Sequence, residues 1–338
     1  MIEFWDREKE IRDIMAILNS RPDLITFVYG PINSGKTELF QHVIDGLSND
    51  FVVFYVNLRE RMMRDYNDFI EALFEIDTTS RRKRLVVKEL VAEITKFAGI
   101  PISKSLLDSF FEEDRPKNAF RYIVEIIEDI GKEGKVPVLI IDELQKIGDI
   151  KIDDYLIYEL FNLFIRLTKE LHACHVFAIT SDSLFLDKVY AEAMLYGRCE
   201  YLLVDDFDYD TATGFLRKYG FEDKEIELVW KHFGGKPSYL VRAIKAKLTN
   251  ENLGDLIDRY LKIRIRQIKD AIYELDDDMR RRVLDLFGMF EKSDSITYER
   301  LTEEIRFCVR KNILFVDPVE STIRPQSRLD LLAIRAIR

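Results

Sequence analysis

The chain has 338 residues, of which 47% are hydrophobic and 33% are charged, a composition typical of a folded globular protein with two or three domains. Its net charge is -10, from 51 Lys and Arg against 61 Asp and Glu, which excludes a protein that coats nucleic acid with its whole surface. No apolar run reaches the roughly 18 residues of a membrane span, and the charged start has no apolar signal core. We therefore expect no membrane association and a cytoplasmic location.

The first predicted element is a β-strand that ends in a glycine-containing loop. The apolar run Leu24 to Tyr29 is followed by G-P-I-N-S-G-K-T and then by helix-compatible residues 38–44. The pattern G-x-x-x-x-G-K-T between a strand and a helix is the phosphate-binding P-loop. Its glycines let backbone N–H groups approach a phosphate. The residues predicted to contact ATP are Gly30, Pro31, Asn33, Ser34, Gly35, Lys36, Thr37 and Glu38.

Two P-loop side chains have specific predicted roles. Lys36 is long enough to reach the β- and γ-phosphates, and the Thr37 hydroxyl is placed to bind Mg²⁺. ATP or ADP and Mg²⁺ are therefore the expected ligands.

A second polar pair follows the apolar run 136–141, which is typical of a strand buried on both faces. In a P-loop enzyme, Asp142 would hold Mg²⁺ through water. Glu143 would act as the general base for the attacking water, because a metal-bound carboxylate is a poor base. Acids also end strands as helix caps, which is the alternative interpretation of this pair.

Further strands are predicted at 51–56, 176–180 and 201–204, with helical patterns between them at 119–131 and 156–171. This alternation predicts an α/β fold with a parallel sheet and helices on both faces. Ligands bind at the carboxyl ends of such strands. Thr180 and Ser181 end one strand, so they are candidates for sensing the γ-phosphate or holding the attacking water. Capping the next helix explains them equally well.

Three other regions complete the chain. Residues 59–118 form a predicted helical insertion that contains the basic run Arg81 to Arg84. This run is either a solvated loop or a contact with a partner or a nucleic acid. Residues 206–275 have wholly helical periodicity. Residues 276–338 contain predicted helices at 279–290 and 298–311 and resemble a winged helix, a common DNA-binding module. However, residues 279–338 have only 12 basic against 9 acidic side chains, and the second helix of a helix-turn-helix is short of residues.

The chain resembles the archaeal ATPase family, a branch of the AAA+/STAND P-loop ATPases of the ASCE type. The segments that carry the resemblance are residues 4–11, Gly30 to Thr37, Ile140 to Glu143, Tyr196 to Arg198 and Gly234 to Leu240. The resemblance implies an ATPase domain at 1–205, a helical lid at 206–275 and a winged-helix-like domain at 276–338. We call the last two regions the lid and the tail.

The resemblance also implies roles for three residues outside the two motifs. Arg7 lies in a segment that packs beside the adenine in relatives. Arg198 corresponds to an arginine finger or nucleotide sensor, acting in its own chain or on a neighbour, unless it is a surface arginine paired with an acid. Pro237 either packs on the adenine or only starts the helix 238–248.

We therefore expect a Mg²⁺-dependent ATPase that works as a switch, in which the nucleotide state controls the arrangement of the lid and the tail. Partners could include another protein or a second copy of the chain. The alternative is an initiator- or loader-like DNA-binding protein with a regulatory nucleotide. Duplex DNA is the less favoured partner, because the tail has little excess positive charge.

Overall fold

The computed structural model describes residues 2–60, 63–76, 95–112, 116–149, 155–191 and 193–337. The basic run Arg81 to Arg84 lies outside these residues. Within them, no helix combines the length and apolar character needed to cross a bilayer.

The strands gather into one large sheet and two small ones. Their bounds are β1 Ile25–Tyr29, β2 Phe51–Asn57, β3 Phe74–Ile76, β4 Lys96–Phe97, β5 Ile100–Ile102, β6 Val136–Asp142, β7 His175–Ile179, β8 Cys199–Leu203, β9 Ile296–Thr297, β10 Leu314–Asp317 and β11 Thr322–Pro325. The large sheet has the order β4-β2-β6-β7-β1-β8, and all its neighbours are parallel. β7 lies between β1, which leads into the P-loop, and β6, which ends in the acidic pair. Because these strands are parallel, both motifs lie at the carboxyl edge of the sheet.

Helices cover both faces of this sheet. Their bounds are α1 Glu8–Leu18, α2 Lys36–Gly46, α3 Tyr66–Leu73, α4 Lys104–Glu112, α5 Pro116–Lys132, α6 Tyr155–Ile165, α7 Ser183–Ala191, α8 Tyr209–Lys218, α9 Asp223–Phe233, α10 Pro237–Leu248, α11 Leu253–Tyr273, α12 Asp277–Gly288, α13 Glu303–Arg310 and α14 Arg328–Ile337. Because side chains alternate along a strand, Phe27 faces the core under α5 and α6, whereas Val28 faces α1 and α2. This is the parallel-sheet architecture of P-loop NTPases, as the sequence predicted.

The insertion after β2 is not purely helical, so that expectation is wrong in part. β3 and β5 pair in parallel, and β4 adds to the edge of the large sheet beside β2. Lys96 and Phe97 lie in register with Val53 and Phe54, which extends the sheet without a local apolar run long enough to signal a strand.

The lid is helical, as predicted, and its helices α8 to α11 share one apolar cluster. A tight turn joins it to the sheet. Gly235 has no space for a side chain, because a Cβ there would lie 1.7 Å from the Phe207 carbonyl oxygen. The Phe207 N–H also donates to the Gly235 carbonyl at 2.9 Å. The turn therefore fixes the start of α10 against the segment that leaves β8.

The tail combines α12, α13 and α14 with an antiparallel sheet of order β10-β11-β9. The predicted helix 298–311 begins later than expected, at Glu303, and one helix lies between β9 and β10 in this fully described stretch. The helix-turn-helix is therefore shortened, as the sequence suggested, and the winged-helix assignment stays a prediction.

Candidate nucleotide site

The P-loop forms the floor of a cavity of about 440 Å³ at the carboxyl edge of the sheet. Gly30 adopts a φ of 154°, and a Cβ there would lie 2.1 Å from the Val204 carbonyl oxygen, so only glycine fits beside the exit of β8. α2 begins at Lys36 and directs its N-terminus into the cavity, an arrangement that attracts phosphate. The loop residues that line the cavity are Ile32, Asn33, Ser34, Gly35, Lys36, Thr37 and Glu38.

Lys36 is folded back onto its own loop. Its ammonium group donates to the carbonyl oxygens of Gly30 at 3.0 Å and Pro31 at 2.9 Å. Burial and the nearby Lys236 charge lower the pKa of Lys36 to about 8, although Glu143 and other acids oppose the shift. A phosphate would supply the negative charge that this buried cation lacks.

Thr37 and Asp142 meet as the two motifs predict. The Thr37 hydroxyl donates to Asp142 Oδ2 at 2.8 Å, and the Tyr55 hydroxyl donates to the same oxygen at 2.6 Å. Burial and the Asp142 charge raise the pKa of Tyr55, so it remains a donor. Hard oxygen ligands from a hydroxyl and one carboxylate fit Mg²⁺, which usually takes its other ligands from water and phosphates.

Glu143 follows β6 in a strained backbone conformation with a φ of 61°. Its carboxylate accepts from Arg59 at 2.5 Å and from the Gln145 amide at 2.6 Å. The Glu143 side chain is largely buried, whereas that of Arg59 is 62% exposed. The predicted base is thus paired with an arginine whose side chain is largely exposed to solvent.

Thr180 and Ser181 connect to this carboxylate through Gln145. The Thr180 hydroxyl donates to Gln145 Oε1 at 2.8 Å, and the Gln145 amide lies 3.2 Å from the Ser181 hydroxyl. Ser181 lines the cavity, but Thr180 is buried behind it. Thr180 also accepts from the Asp182 N–H, but the next helix is capped by Asp182 itself, whose Oδ1 accepts from the N–H groups of Leu184 and Phe185.

The lid closes one side of the cavity. Lys236, which is buried, donates to the Ile32 carbonyl at 3.0 Å and forms an ion pair with Asp206 at 2.9 Å. Burial raises the pKa of Asp206, and Lys236 opposes that rise. Pro237 starts α10 and lines the cavity, so both predicted roles of this proline remain open.

Two cations of α10 also line the cavity. Arg242 and Lys245 are exposed, and neither side chain has a hydrogen bond or ion pair with another described residue. They lie on the same helix face as Ser238 and Val241. The lid therefore presents two unpaired positive charges opposite the P-loop.

The tail closes the other side. The buried Gln326 side chain accepts from the Ile32 N–H at 3.0 Å and donates to the Leu314 carbonyl at 3.1 Å. Nearby, the Tyr29 hydroxyl donates to Asp317 at 3.0 Å. The tail is thus bonded both to the strand that precedes the P-loop and to the loop itself.

Arg7 does not line the cavity, so direct contact with the nucleotide does not fit its position. Its buried guanidinium donates to the Ser34 carbonyl at 2.6 Å and to the Asp205 carbonyl at 2.7 Å. It also lies 4.6 Å from the centre of the Phe207 ring. Arg7 instead holds the P-loop against the segment that leads into the lid.

Arg198 lies at the opposite edge of the sheet, so an action on the nucleotide of its own chain is wrong. It immediately precedes β8, whose first residue is in register with Ile25 at the start of β1. The five residues of β1 separate this edge from the P-loop, about 16 Å at ~3.3 Å per residue. The exposed Arg198 guanidinium donates to the Met194 carbonyl at 3.0 Å.

Sequence reasoning missed several polar residues around the cavity. Tyr55, Arg59 and Gln145 lie on or just after strands that end at this edge, which is the one signal that could have identified them. Lys236 lies within the segment Gly234 to Leu240 that carries the resemblance, next to Pro237. Gln326 reaches the P-loop through long-range packing and has no local signal.

Comparisons with known proteins agree with this geometry. A family model described as an ATPase domain predominantly from Archaea matches residues 4–243. A second model, described as the C-terminal domain of the MJ1010-like uncharacterized ATP-binding proteins, matches residues 254–338. Both models thus cover regions that contact the P-loop.

Relatives match over nearly their whole length. An uncharacterized ATP-binding protein of Methanocaldococcus jannaschii is 50% identical over 351 residues, covering 99% of this chain and 97% of that protein. One from Pyrococcus abyssi is 48% identical over 338 residues, covering 99% and 98%. Among solved structures, a Walker-type ATPase of Pyrococcus abyssi is similar in fold, with a TM-score of 0.67, 18% identity, and coverage of 98% and 96%.

Proposed function

This chain belongs to the archaeal ATPase family, and we propose that it hydrolyses ATP with Mg²⁺ and that the bound nucleotide controls how the lid and the tail sit on the P-loop. Ile32 carries this proposal. Its carbonyl accepts from Lys236 of the lid, and its N–H donates to Gln326 of the tail. A change of charge at the P-loop therefore acts on both regions through a single loop residue.

The phosphates are held by the P-loop. Lys36 exchanges its loop carbonyls for the β- and γ-phosphates, and backbone N–H groups at the start of α2 face the same charge. Thr37 and Asp142 would hold Mg²⁺, which supplies charge neutralisation of the phosphates when bound. The unpaired Arg242 and Lys245 of the lid favour closure over an anionic ligand.

Glu143 is the general base of the proposed reaction. A water oxygen attacks the γ-phosphorus, the bond from that phosphorus to the bridging oxygen breaks, and ADP and inorganic phosphate are released. Glu143 accepts the proton of the attacking water. In the present structure Arg59 donates to one carboxylate oxygen and Gln145 to the other, and each oxygen keeps a second lone pair that can accept from the attacking water.

The tail has an internal role in this proposal rather than a DNA-binding one. The end of α13, where a recognition helix would lie in a winged helix, lines a cavity at the P-loop through Val309 and Arg310. That position suits a contact within the chain. DNA binding remains a prediction from the sequence.

The test is a pair of variants in the full chain. Glu143→Gln should bind ATP normally but lose hydrolysis by about 10²- to 10⁴-fold, the usual contribution of a general base. Lys36→Ala should lose ATP binding. The control is Glu133→Gln, an exposed glutamate just after α5. Turnover of ATP by Glu143→Gln at the wild-type rate would disprove the assignment of the base.

A further inference from the structure

A second cavity of about 320 Å³ adjoins the nucleotide cavity. The two cavities share Ile32, Arg59, Glu143 and Ser181. The lid residues line only the first cavity. The second is closed by the tail, through Val309, Arg310, Asn312 and Gln326. We call it the tail chamber.

The tail chamber lies at the terminal-phosphate end of the nucleotide site. Glu143 borders it, and the proposed base must stand next to the water that attacks the γ-phosphorus. Ser181, linked to Glu143 by Gln145, borders it as well. A group in this chamber therefore faces the γ-phosphate and not the adenine or the ribose of the nucleotide.

Arg310 is the cation that the tail contributes to this chamber. It is the last residue of α13 and is exposed, and no hydrogen bond or ion pair joins its guanidinium to another described residue. Arg59, by contrast, is already paired with Glu143. Arginine also offers a planar fork of donors that matches phosphate oxygens.

We propose that Arg310, a residue of the tail, binds the γ-phosphate of ATP, so that docking of the tail depends on that phosphate. This inference rests on the proposed ATPase function. With ATP, Arg310 pairs with the γ-phosphate while Gln326 holds Ile32. After hydrolysis and release of phosphate, Arg310 loses its partner, and the tail keeps only its contacts with the protein.

Binding of ADP and of a non-hydrolysable ATP analogue separates this role from a structural one. Arg310→Ala should lower the affinity for the analogue by about 10- to 100-fold, as expected for loss of a charge-assisted hydrogen bond. Its affinity for ADP should stay within about twofold of the wild-type value. Arg310→Lys should restore part of the loss. Lys311→Ala is the matched control, because that neighbouring cation does not line the chamber and lies 3.7 Å from Glu274.

Hydrogen exchange gives a second measurement. In the wild type, the analogue should protect the amides of β10 and β11 more than ADP does, and Arg310→Ala should remove that difference. Equal losses of affinity for both nucleotides, or no loss for either, would overturn the inference. A wild-type chain that neither binds nor hydrolyses ATP would instead overturn the proposed function.

Discussion

The lid and the tail hold the same P-loop residue by different physical means. The lid uses Lys236, a buried charge that also pairs with buried Asp206. The tail uses Gln326, a neutral amide. A buried charge is costly to leave unpaired, whereas a neutral hydrogen bond contributes less and can be exchanged. At Ile32, therefore, the contact with the lid should cost more to break than the contact with the tail.

The largest expected effect is on the lid. Lys236→Met leaves Asp206 buried without its cation, so we expect a loss of about 3–5 kcal/mol in the free energy of unfolding. Denaturant unfolding of the full chain measures it. Lys245→Met, on the same helix but exposed and unpaired, is the matched control.

A double variant sharpens this result. Lys236→Met combined with Asp206→Asn removes both charges, and we expect it to be more stable than Lys236→Met alone. A single variant that loses less than about 1 kcal/mol would mean that the lid is no more firmly attached than the tail.

The second effect is on the tail. Gln326→Leu removes the partner of the Ile32 N–H and of the Leu314 carbonyl, at a cost of about 1–3 kcal/mol. Hydrogen exchange should rise in β10 and β11 but not in α10. Lys262→Leu, at an exposed position of α11, should leave both regions unchanged. An equal rise in hydrogen exchange in α10 would show that the lid and the tail detach from the P-loop together.

The sheet and its two motifs were predictable because their signals are local. An apolar run, a loop of fixed spacing and a following helix define the P-loop wherever it occurs, and a buried strand ending in Asp142 and Glu143 defines its partner. The same rule excludes Arg198 as a contact for the nucleotide of its own chain. This arginine precedes a parallel strand, whereas the P-loop follows one, so the two must lie at opposite edges.

The closing residues were not predictable for the same physical reason. Gln326 lies 294 positions from Ile32, and Arg310 enters the tail chamber because of how the tail packs on the sheet. Neither has a periodicity or spacing that distinguishes it from other polar surface residues. Their placement depends on the packing of domains, which the local pattern does not encode.

The smallest effect concerns the ion pair between Arg324 of the tail and Asp205, near the P-loop. Both side chains are about one-third exposed, at 30% and 38%. Arg324→Ala should therefore cost about 1 kcal/mol or less, and the cost should shrink as salt screens the pair. Unfolding at low and at high salt measures it, with Arg281→Ala, an exposed pair within α12, as the control.

A loss above about 2 kcal/mol that salt does not reduce would contradict the comparison of the lid with the tail. The tail would then be held by a charge that is effectively buried, like Lys236 in the lid. A small, salt-sensitive loss would leave the tail held on the ATPase domain by its hydrogen bonds to Ile32, Tyr29 and Ser183 and by the packing of Phe315 against Tyr29. The buried Arg264–Asp330 ion pair would still hold it on the lid.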